Sequence, residues 1–362
     1  MIGVIQTSPA PYRENTFLAC EKKFSWRFNV ATFPDGMDTH PEWCFRSLKE
    51  DYIGHAPKTF KILGRKLVYN SDIYRWLKSE KFEAILIEGY NSFTNIFAII
   101  YCLLKKIPII LGVDSVENPG FKIIKKFLYR NVSAFWVPGI RTKKYLLSEG
   151  VVCKKIYFGK YTYDYGDLFK IVKQTDQVSL KKTYNISDDE IVFLFVGKLI
   201  ASRNVSLLLN AFREIQNDNV KLIIIGDGPD EDKVMNCGDD RVIYIPRVPL
   251  SELYGFYAIS DIYIHPGAEP FSLAVVQAVA SNLIVIASNK VGAVDDVVKE
   301  NGLLLSKYSV EELVASIKFA LKNFDFMKSE AYKMGNFVRN ERSVQFASDQ
   351  LNEAIKYVIN SK

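Results

Sequence analysis

The chain has 362 residues, enough for two domains with separate cores, and its 48% hydrophobic and 24% charged residues exclude a disordered or fibrous protein. Its net charge of +6 is uneven: residues 1–175 carry 27 lysines and arginines against 16 acids, and the remainder is acidic. Five widely spaced cysteines show no zinc or redox spacing, which argues against a disulfide framework and predicts a reduced, cytosolic chain.

In chain order, Ile2 to Gln6 is an apolar run closed by Ser8-Pro9-Ala10-Pro11, and Trp26 to Phe33 alternates as a strand does. Asn70-Ser71-Asp72 offers caps for a helix carrying Ile73, Tyr74, Trp76 and Leu77. Strands are predicted at Phe82–Ile87, Ile107–Val113 and Ala134–Val137. The apolar stretch Ile96–Leu104, too short to span a membrane, reads as a buried helix. The polar composition of 173–189 predicts a linker between domains at 1–172 and 190–342. Beyond it, strands are predicted at Ile191–Val196, Lys221–Ile225, Val242–Ile245, Asp261–His265 and Leu283–Ala287, with a helix over Val205–Ile215. The last segment, 343–362, has helical spacing at Phe346, Leu351, Ile355 and Val358. Strand and helix alternate throughout, so two doubly wound α/β domains are expected.

Ligands of open parallel sheets bind beyond the carboxyl ends of the strands, so the residues following each strand carry the functional argument. After Val196, Gly197 turns the backbone and Lys198 and Arg203 flank a short loop. A helix start disfavours cations, so the pair suits an anionic ligand, unless both are surface charges. Gly226 and Gly228 permit either a close backbone approach or simply a turn. After His265, Gly267 leaves room for a ligand, and Glu269 precedes a helix predicted to begin near Phe271. The free amides of Ser272, Leu273 and Ala274 would then form an anion site, with Glu269 either part of it or an ordinary capping acid.

At these residues, from about Val192 to Leu305, the chain resembles the family 4 glycosyltransferases. These are retaining enzymes with a B-type fold of two Rossmann-like domains facing across a cleft. The resemblance implies that Lys198 and Arg203 contact a donor diphosphate, Glu269 hydrogen-bonds sugar hydroxyls, and the amides around Phe271–Ala274 bind phosphate. Gln277 stands where the family usually has a second Glu that holds the ribose. Lys198 and Arg203 exchange the family's usual Arg and Lys, while Ser272 and Asn282 replace glycines. In the first half, Pro9-Ala10-Pro11-Tyr12-Arg13 resembles a Pro-x-Tyr-Arg loop of bacterial polysaccharide enzymes, which would let Arg13 reach across the cleft to a phosphate; Tyr12 and Arg13 otherwise cap a helix. Tyr90 and Asn91 are expected on the acceptor side. Relatives commonly place a histidine after the strand equivalent to Ile107–Val113; here Asp114 takes that place, as a polar group near the anomeric centre or as a capping acid. In the family the last helix crosses back to the first domain.

The activity the resemblance implies is transfer of a sugar, UDP-linked as in the family, to a glycan or polyprenyl-pyrophosphate-linked acceptor. It is expected without metal or cofactor, in cell-surface polysaccharide, lipopolysaccharide or capsule synthesis. The acids Asp230-Glu231-Asp232 fit the first turn of a helix better than a metal site, and His265 ends a strand predicted to be buried. A B-type sugar-nucleotide epimerase and a degenerate glycan- or partner-binding module are the rival readings. Nucleic acid is not an expected partner. Lys122, Lys125, Lys126 and Arg130, interleaved with apolar residues, predict a helix docking on an anionic membrane, which places the chain in the cytoplasm or at the inner face of the cell membrane.

Overall fold

The computed structural model describes residues 1–361 except 8–9, 34–51, 55–57, 63–64, 91 and 115–121. The chain divides into two compact units, Met1–Tyr163 with Val344–Lys362, and Asp164–Ser343.

The first unit contains, in chain order, β1 (Ile2–Gln6), α1 (Pro11–Phe24), β2 (Phe28–Thr32), β3 (Tyr52–Ile53), β4 (Lys58–Ile62), β5 (Arg65–Tyr69), α2 (Asp72–Ser79), β6 (Ala84–Glu88), α3 (Phe93–Lys105), β7 (Ile109–Gly112), α4 (Lys122–Asn131), β8 (Ala134–Val137), α5 (Ile140–Ser148) and β9 (Ile156–Phe158). A seven-stranded sheet has the order β3-β2-β1-β6-β7-β8-β9, with every pair parallel. Its central strands are apolar at successive residues because helices cover both faces. One core packs Ile85, Ile87 and Leu111 beneath α2, α3, α4 and α5, with Trp76, Ile99 and Leu128 among its members. The other packs Val4, Leu86 and Trp136 against Phe17 of α1 and Leu351 and Ile355 of the C-terminal helix, Val344–Asn360. Trp26 Nε1 donates to Asn352 Oδ1 at 3.0 Å, and the Phe158 amide donates to Gln350 Oε1 at 3.1 Å. Gly159, at φ 100°, lies where a Cβ would sit 2.7 Å from the Ala347 Cα. The returning helix thus packs where only a glycine fits.

The second unit contains α6 (Tyr165–Gln174), α7 (Gln177–Thr183), β10 (Ile191–Val196), α8 (Val205–Arg213), β11 (Val220–Ile225), α9 (Glu231–Met235), β12 (Val242–Ile245), α10 (Leu250–Ile259), β13 (Ile262–His265), α11 (Leu273–Ala280), β14 (Ile284–Ser288), α12 (Val294–Val297), β15 (Gly302–Leu305), α13 (Val310–Lys322) and α14 (Phe324–Glu341). Six parallel strands run in the order β12-β11-β10-β13-β14-β15. In both sheets all strands therefore end at one edge, which collects their following loops.

Two expectations need correction. Residues 173–189 are not a linker: they hold the end of α6 and all of α7, and Tyr184 meets Phe256 of α10 with ring centroids 5.4 Å apart. Asp164 and Asp176 cap these short helices by accepting from backbone amides. Their exposed polar faces have the composition of a linker, which is why the sequence misleads there. The α3 helix is buried on one face only, with Ile100 and Leu104 exposed on the other.

Candidate functional site

At the carboxyl edge of the second sheet, three loops are bonded into one surface. The Gly197 amide donates to Ile225 O at 3.0 Å, Leu199 to Asp227 O at 2.7 Å, and Asp230 to Leu199 O at 2.9 Å. Gly226 and Gly228 have φ of 152° and 144°, and a Cβ on them would lie 1.9 Å from Gly197 O and 2.5 Å from Leu199 O. The close approach foreseen for these glycines is to a neighbouring loop. Gly267 likewise leaves no room for a ligand, because its missing Cβ would fall 2.3 Å from Ser202 O. The Ala268 amide completes that contact, donating to Ser202 O at 2.7 Å.

This packing brings Arg203 to Glu269. The guanidinium donates to Ala268 O and pairs with Glu269 Oε1 at 2.9 Å. Lys198 is exposed, and no partner is described for it. His265, fully buried, is stacked between the rings of Phe195 and Tyr263, its centroid 5.8 and 6.4 Å from theirs. Its Nε2 stands 3.5 Å from Glu269 Oε2, and neither ring nitrogen has a hydrogen-bond partner among the described residues. Burial, aided by the nearby Arg203 charge, pushes the imidazole down to about 3, so it is neutral at pH 7. Burial also raises the Glu269 carboxyl, opposed by Arg203 and by a hydrogen bond from Ser272.

The next helix, α11, begins at Leu273, with Ser272 as its cap at φ 77° and its hydroxyl accepting from the Val275 amide at 3.5 Å. Phe271 and Ser272 are buried and Leu273 and Ala274 half-buried, so of the amides that a helix start leaves without a carbonyl partner, those of Leu273 and Ala274 belong to the more accessible residues. Gln277 is only 4% exposed, and its Oε1 accepts from the Tyr257 hydroxyl at 3.3 Å. It faces α10 from inside the unit. Asp230 opens α9 and pairs with Lys233 at 2.5 Å.

At the carboxyl edge of the first sheet the expected side chains are bound to one another. Arg13 is turned inward, with Nη2 donating to Gln6 Oε1 at 3.3 Å and Nη1 at 3.5 Å from Glu88 Oε2. This corrects the expectation that it projects toward a phosphate. Tyr12 is buried beside Tyr161 and Tyr163, with centroids 5.3 and 5.5 Å apart, and burial pushes its phenol up to about 12 against the opposing charge of Arg13. Asp114 caps no helix in the described residues; it pairs with Lys160, which also holds Glu88 Oε2 at 2.7 Å. Lys160 was not foreseen from sequence. Tyr90 meets the Tyr129 hydroxyl at 3.3 Å under α4, and Asn91 lies outside the described residues.

On α4, Lys125 is buried, donating to the Tyr145 hydroxyl at 2.6 Å and pairing with Glu149 at 2.7 Å. It therefore cannot face a membrane, which corrects the four-cation reading. Lys126, Phe127 and Arg130 do point outward, and the Lys122 side chain lies outside the description. Among the described residues no helix is long and apolar enough to cross a membrane.

Residues 176–338 match the family described as glycosyl transferases group 1. The lipopolysaccharide 1,2-N-acetylglucosaminetransferase of Salmonella typhimurium is 29% identical over 137 residues, covering 33% of this chain and 36% of that protein. The capsular polysaccharide biosynthesis glycosyltransferase CapM of Staphylococcus aureus is 25% identical over 187 residues, 49% of each. The chain thus spans between a third and a half of the length of these relatives. Among solved structures, a glycosyltransferase from Rickettsia africae superposes with a TM-score of 0.79 at 15% identity, over 100% of this chain and 99% of its own. Anabaena Alr3699/HepE in complex with UDP gives 0.75 at 15% identity, over 98% and 99%. A UDP-N-acetylglucosamine 2-epimerase gives 0.65 at 15% identity, over 100% and 96%. The second unit is thus similar to the glycosyl transferases group 1 over residues 176–338, in a chain whose two doubly wound units have the B-type glycosyltransferase fold.

Proposed function

We propose that this chain transfers a sugar from a nucleotide-sugar, UDP-linked, to a glycan or lipid-linked acceptor in cell-surface polysaccharide synthesis. The observation that carries the reading is Arg203, fixed by Glu269 and Ala268 O at a strand-end surface that also presents the exposed Lys198 and the amides of Leu273 and Ala274. Breaking a glycosidic bond to a diphosphate builds negative charge on the departing oxygens. The tethered Arg203, the exposed Lys198 and a helix N-terminus stabilise that charge more in the transition state than in the ground state. Lys198 and Arg203 supply the countercharge that a metal provides elsewhere. Glu269 accepts hydrogen bonds from the donor sugar's hydroxyls once Arg203 turns to the diphosphate. Gln277, buried and bonded to Tyr257 inside the unit, is not placed to meet the nucleoside, which corrects the role the resemblance implied for it. Retention of configuration follows from the resemblance to family 4.

In this reading the acceptor binds the first unit, with Asp114 accepting from its hydroxyl and Tyr90 beside it; Tyr12 is buried and supports that edge from beneath. Lys126, Phe127 and Arg130 dock the helix face on an anionic membrane at the cytoplasmic side. The epimerase reading is favoured by the structural likeness to a 2-epimerase; an epimerase consumes its nucleotide-sugar without any acceptor, which separates the two.

The test is a thermal-shift panel of UDP, GDP, ADP, CMP and UDP-sugars, with and without magnesium. A ligand at about 100 times its Kd adds roughly 2.7 kcal/mol. The expected result is a shift with uridine nucleotides, indifferent to magnesium and lost when Lys198→Ala and Arg203→Ala are combined. A shift that the double variant retains would overturn the assignment of these cations, and no shift with any nucleotide would overturn the transferase reading.

A further inference from the structure

The first sheet's carboxyl edge carries a buried cation with an asymmetric pair of partners. Lys160 follows β9 and is 1% exposed. Its stem crosses the end of β7 at Gly112, where a Cβ would lie 3.2 Å from Lys160 Cε and 2.9 Å from Glu88 Oε2. Its ammonium holds Glu88 Oε2 at 2.7 Å and Asp114 Oδ1. Arg13 approaches the same oxygen of Glu88 at 3.5 Å. Glu88 Oε1 is buried without a hydrogen-bond partner among the described residues.

Burying an ammonium this fully requires a fixed countercharge, and Glu88 stands at contact distance to supply it. Glu88 nevertheless serves two cations, so a second carboxylate balances the group. That second carboxylate is not buried with the rest: the Asp114 side chain is 40% exposed. One of its oxygens is tied to a rigid, sealed lysine while the side chain as a whole stays partly open to solvent. A pair present for stability alone gains nothing by leaving one carboxylate half open, whereas a carboxylate that must meet a hydroxyl needs that arrangement.

We infer that Lys160 is a positioning residue for the acceptor: anchored by Glu88, it fixes the direction in which Asp114 presents its free oxygen to the hydroxyl of an incoming sugar. This deepens the transferase reading and rests on it. Asp114 touches substrate; Lys160 and Glu88 act through it.

The experiment uses the full chain and compares wild type, Lys160→Met, Asp114→Asn, the double variant and Gly112→Ala. UDP-sugar affinity is measured by calorimetric titration, and kcat and acceptor KM by turnover with a lipid-linked sugar acceptor. Misplacing a reacting group by about 1 Å costs on the order of 100-fold, so Lys160→Met is expected to lose about that in kcat with donor affinity unchanged. The double variant is expected to lose no more than Asp114→Asn alone. If Lys160→Met fails to fold, Gly112→Ala keeps every charge while displacing the lysine, and a kcat about tenfold lower with normal donor binding is expected. Wild-type kcat in either folded variant, or losses that multiply in the double variant, would overturn the inference. Wild-type protein that neither binds nor turns over a UDP-sugar would overturn the transferase reading and this inference with it.

Discussion

In the second unit the strand ends carry glycines where loops touch, and the charged groups they bring together remain partly open to water. In the first unit the strand ends carry charges that close on one another: Gln6, Arg13, Glu88 and Lys160 are buried, and Asp114 alone is half exposed. The same sheet topology thus supports two kinds of polar edge. Steric fit of backbone against backbone holds the first kind, and it leaves the exposed Lys198, beside the tethered Arg203, to meet an anion that arrives from outside. Mutual neutralisation holds the second, and it leaves a single oriented carboxylate. Diphosphate recognition suits the former and hydroxyl recognition the latter.

The largest effect that would break this contrast is at Gly226. Alanine there would place a Cβ 1.9 Å from Gly197 O, at a φ of 152° that side chains rarely adopt. Backbone strain and overpacking together predict a loss of about 3–5 kcal/mol, read by chemical denaturation. A Gly226→Ala protein as stable as wild type would show that the loops are not held by contact.

On the proposed function, Glu269→Ala is expected to cost about 100- to 1,000-fold in kcat with the fold retained, since it removes the carboxylate proposed to meet the sugar and one of the two groups that hold Arg203. Full activity would remove Glu269 from the site and leave Arg203 fixed by Ala268 O alone.

A smaller effect distinguishes the edges through pH. Unfolded, His265 takes up a proton as pH falls below about 6.5; folded, it stays neutral to about 3. Its contribution to stability is therefore fully present above pH 6.5 and lost progressively as pH falls toward 3. That amounts to about 2 kcal/mol by pH 5. In His265→Phe, which keeps a flat ring between Phe195 and Tyr263, this part of the pH dependence should vanish. An identical slope in both proteins between pH 6.5 and 5 would place the acid sensitivity elsewhere.

Much of this architecture is legible in the chain itself. Ala134–Val137 and Ile191–Val196 are strands at the residues where their apolar runs begin and end, because strands covered on both faces favour apolar residues in succession; Val242–Ile245, a partly buried edge strand, also matches its apolar run. The hairpin of β4 and β5 escaped notice, since its lysines and arginine interrupt the alternation that marks a strand. That Arg203 and Glu269 each follow a strand of the second sheet could be read from the order of loops; that they pair could not. Lys160 could not: its partners Glu88 and Asp114 precede it by dozens of residues, and β9 is only three residues long. The one local trace of that network is Gly112, a glycine closing a strand without a turn to justify it. Gly267 misled for the converse reason, because a missing side chain looks the same in sequence whether a ligand or a neighbouring loop fills the space.

The smallest effect concerns Ser272, where the resemblance expects glycine. The residue sits at φ 77°, a conformation that costs a side chain about 1 kcal/mol or more. Its hydroxyl recovers part of this by capping the Val275 amide, but at 3.5 Å that bond is long, and glycine is nearly as good a cap, to within a few tenths of a kcal/mol. Ser272 also donates to Glu269, which holds the carboxyl down against burial. Ser272→Gly should therefore stabilise the second unit by about 0.5–1 kcal/mol, or a Tm rise of roughly 1–4 °C. The same change should raise the Glu269 carboxyl further and move the acid limb of donor binding to higher pH. A lower Tm with an unmoved acid limb would show that the hydroxyl serves the fold and leaves the Glu269 carboxyl untouched. Such a result would place Ser272 with the loop packing that dominates the second unit, and would leave Arg203 as the group that sets the charge of Glu269.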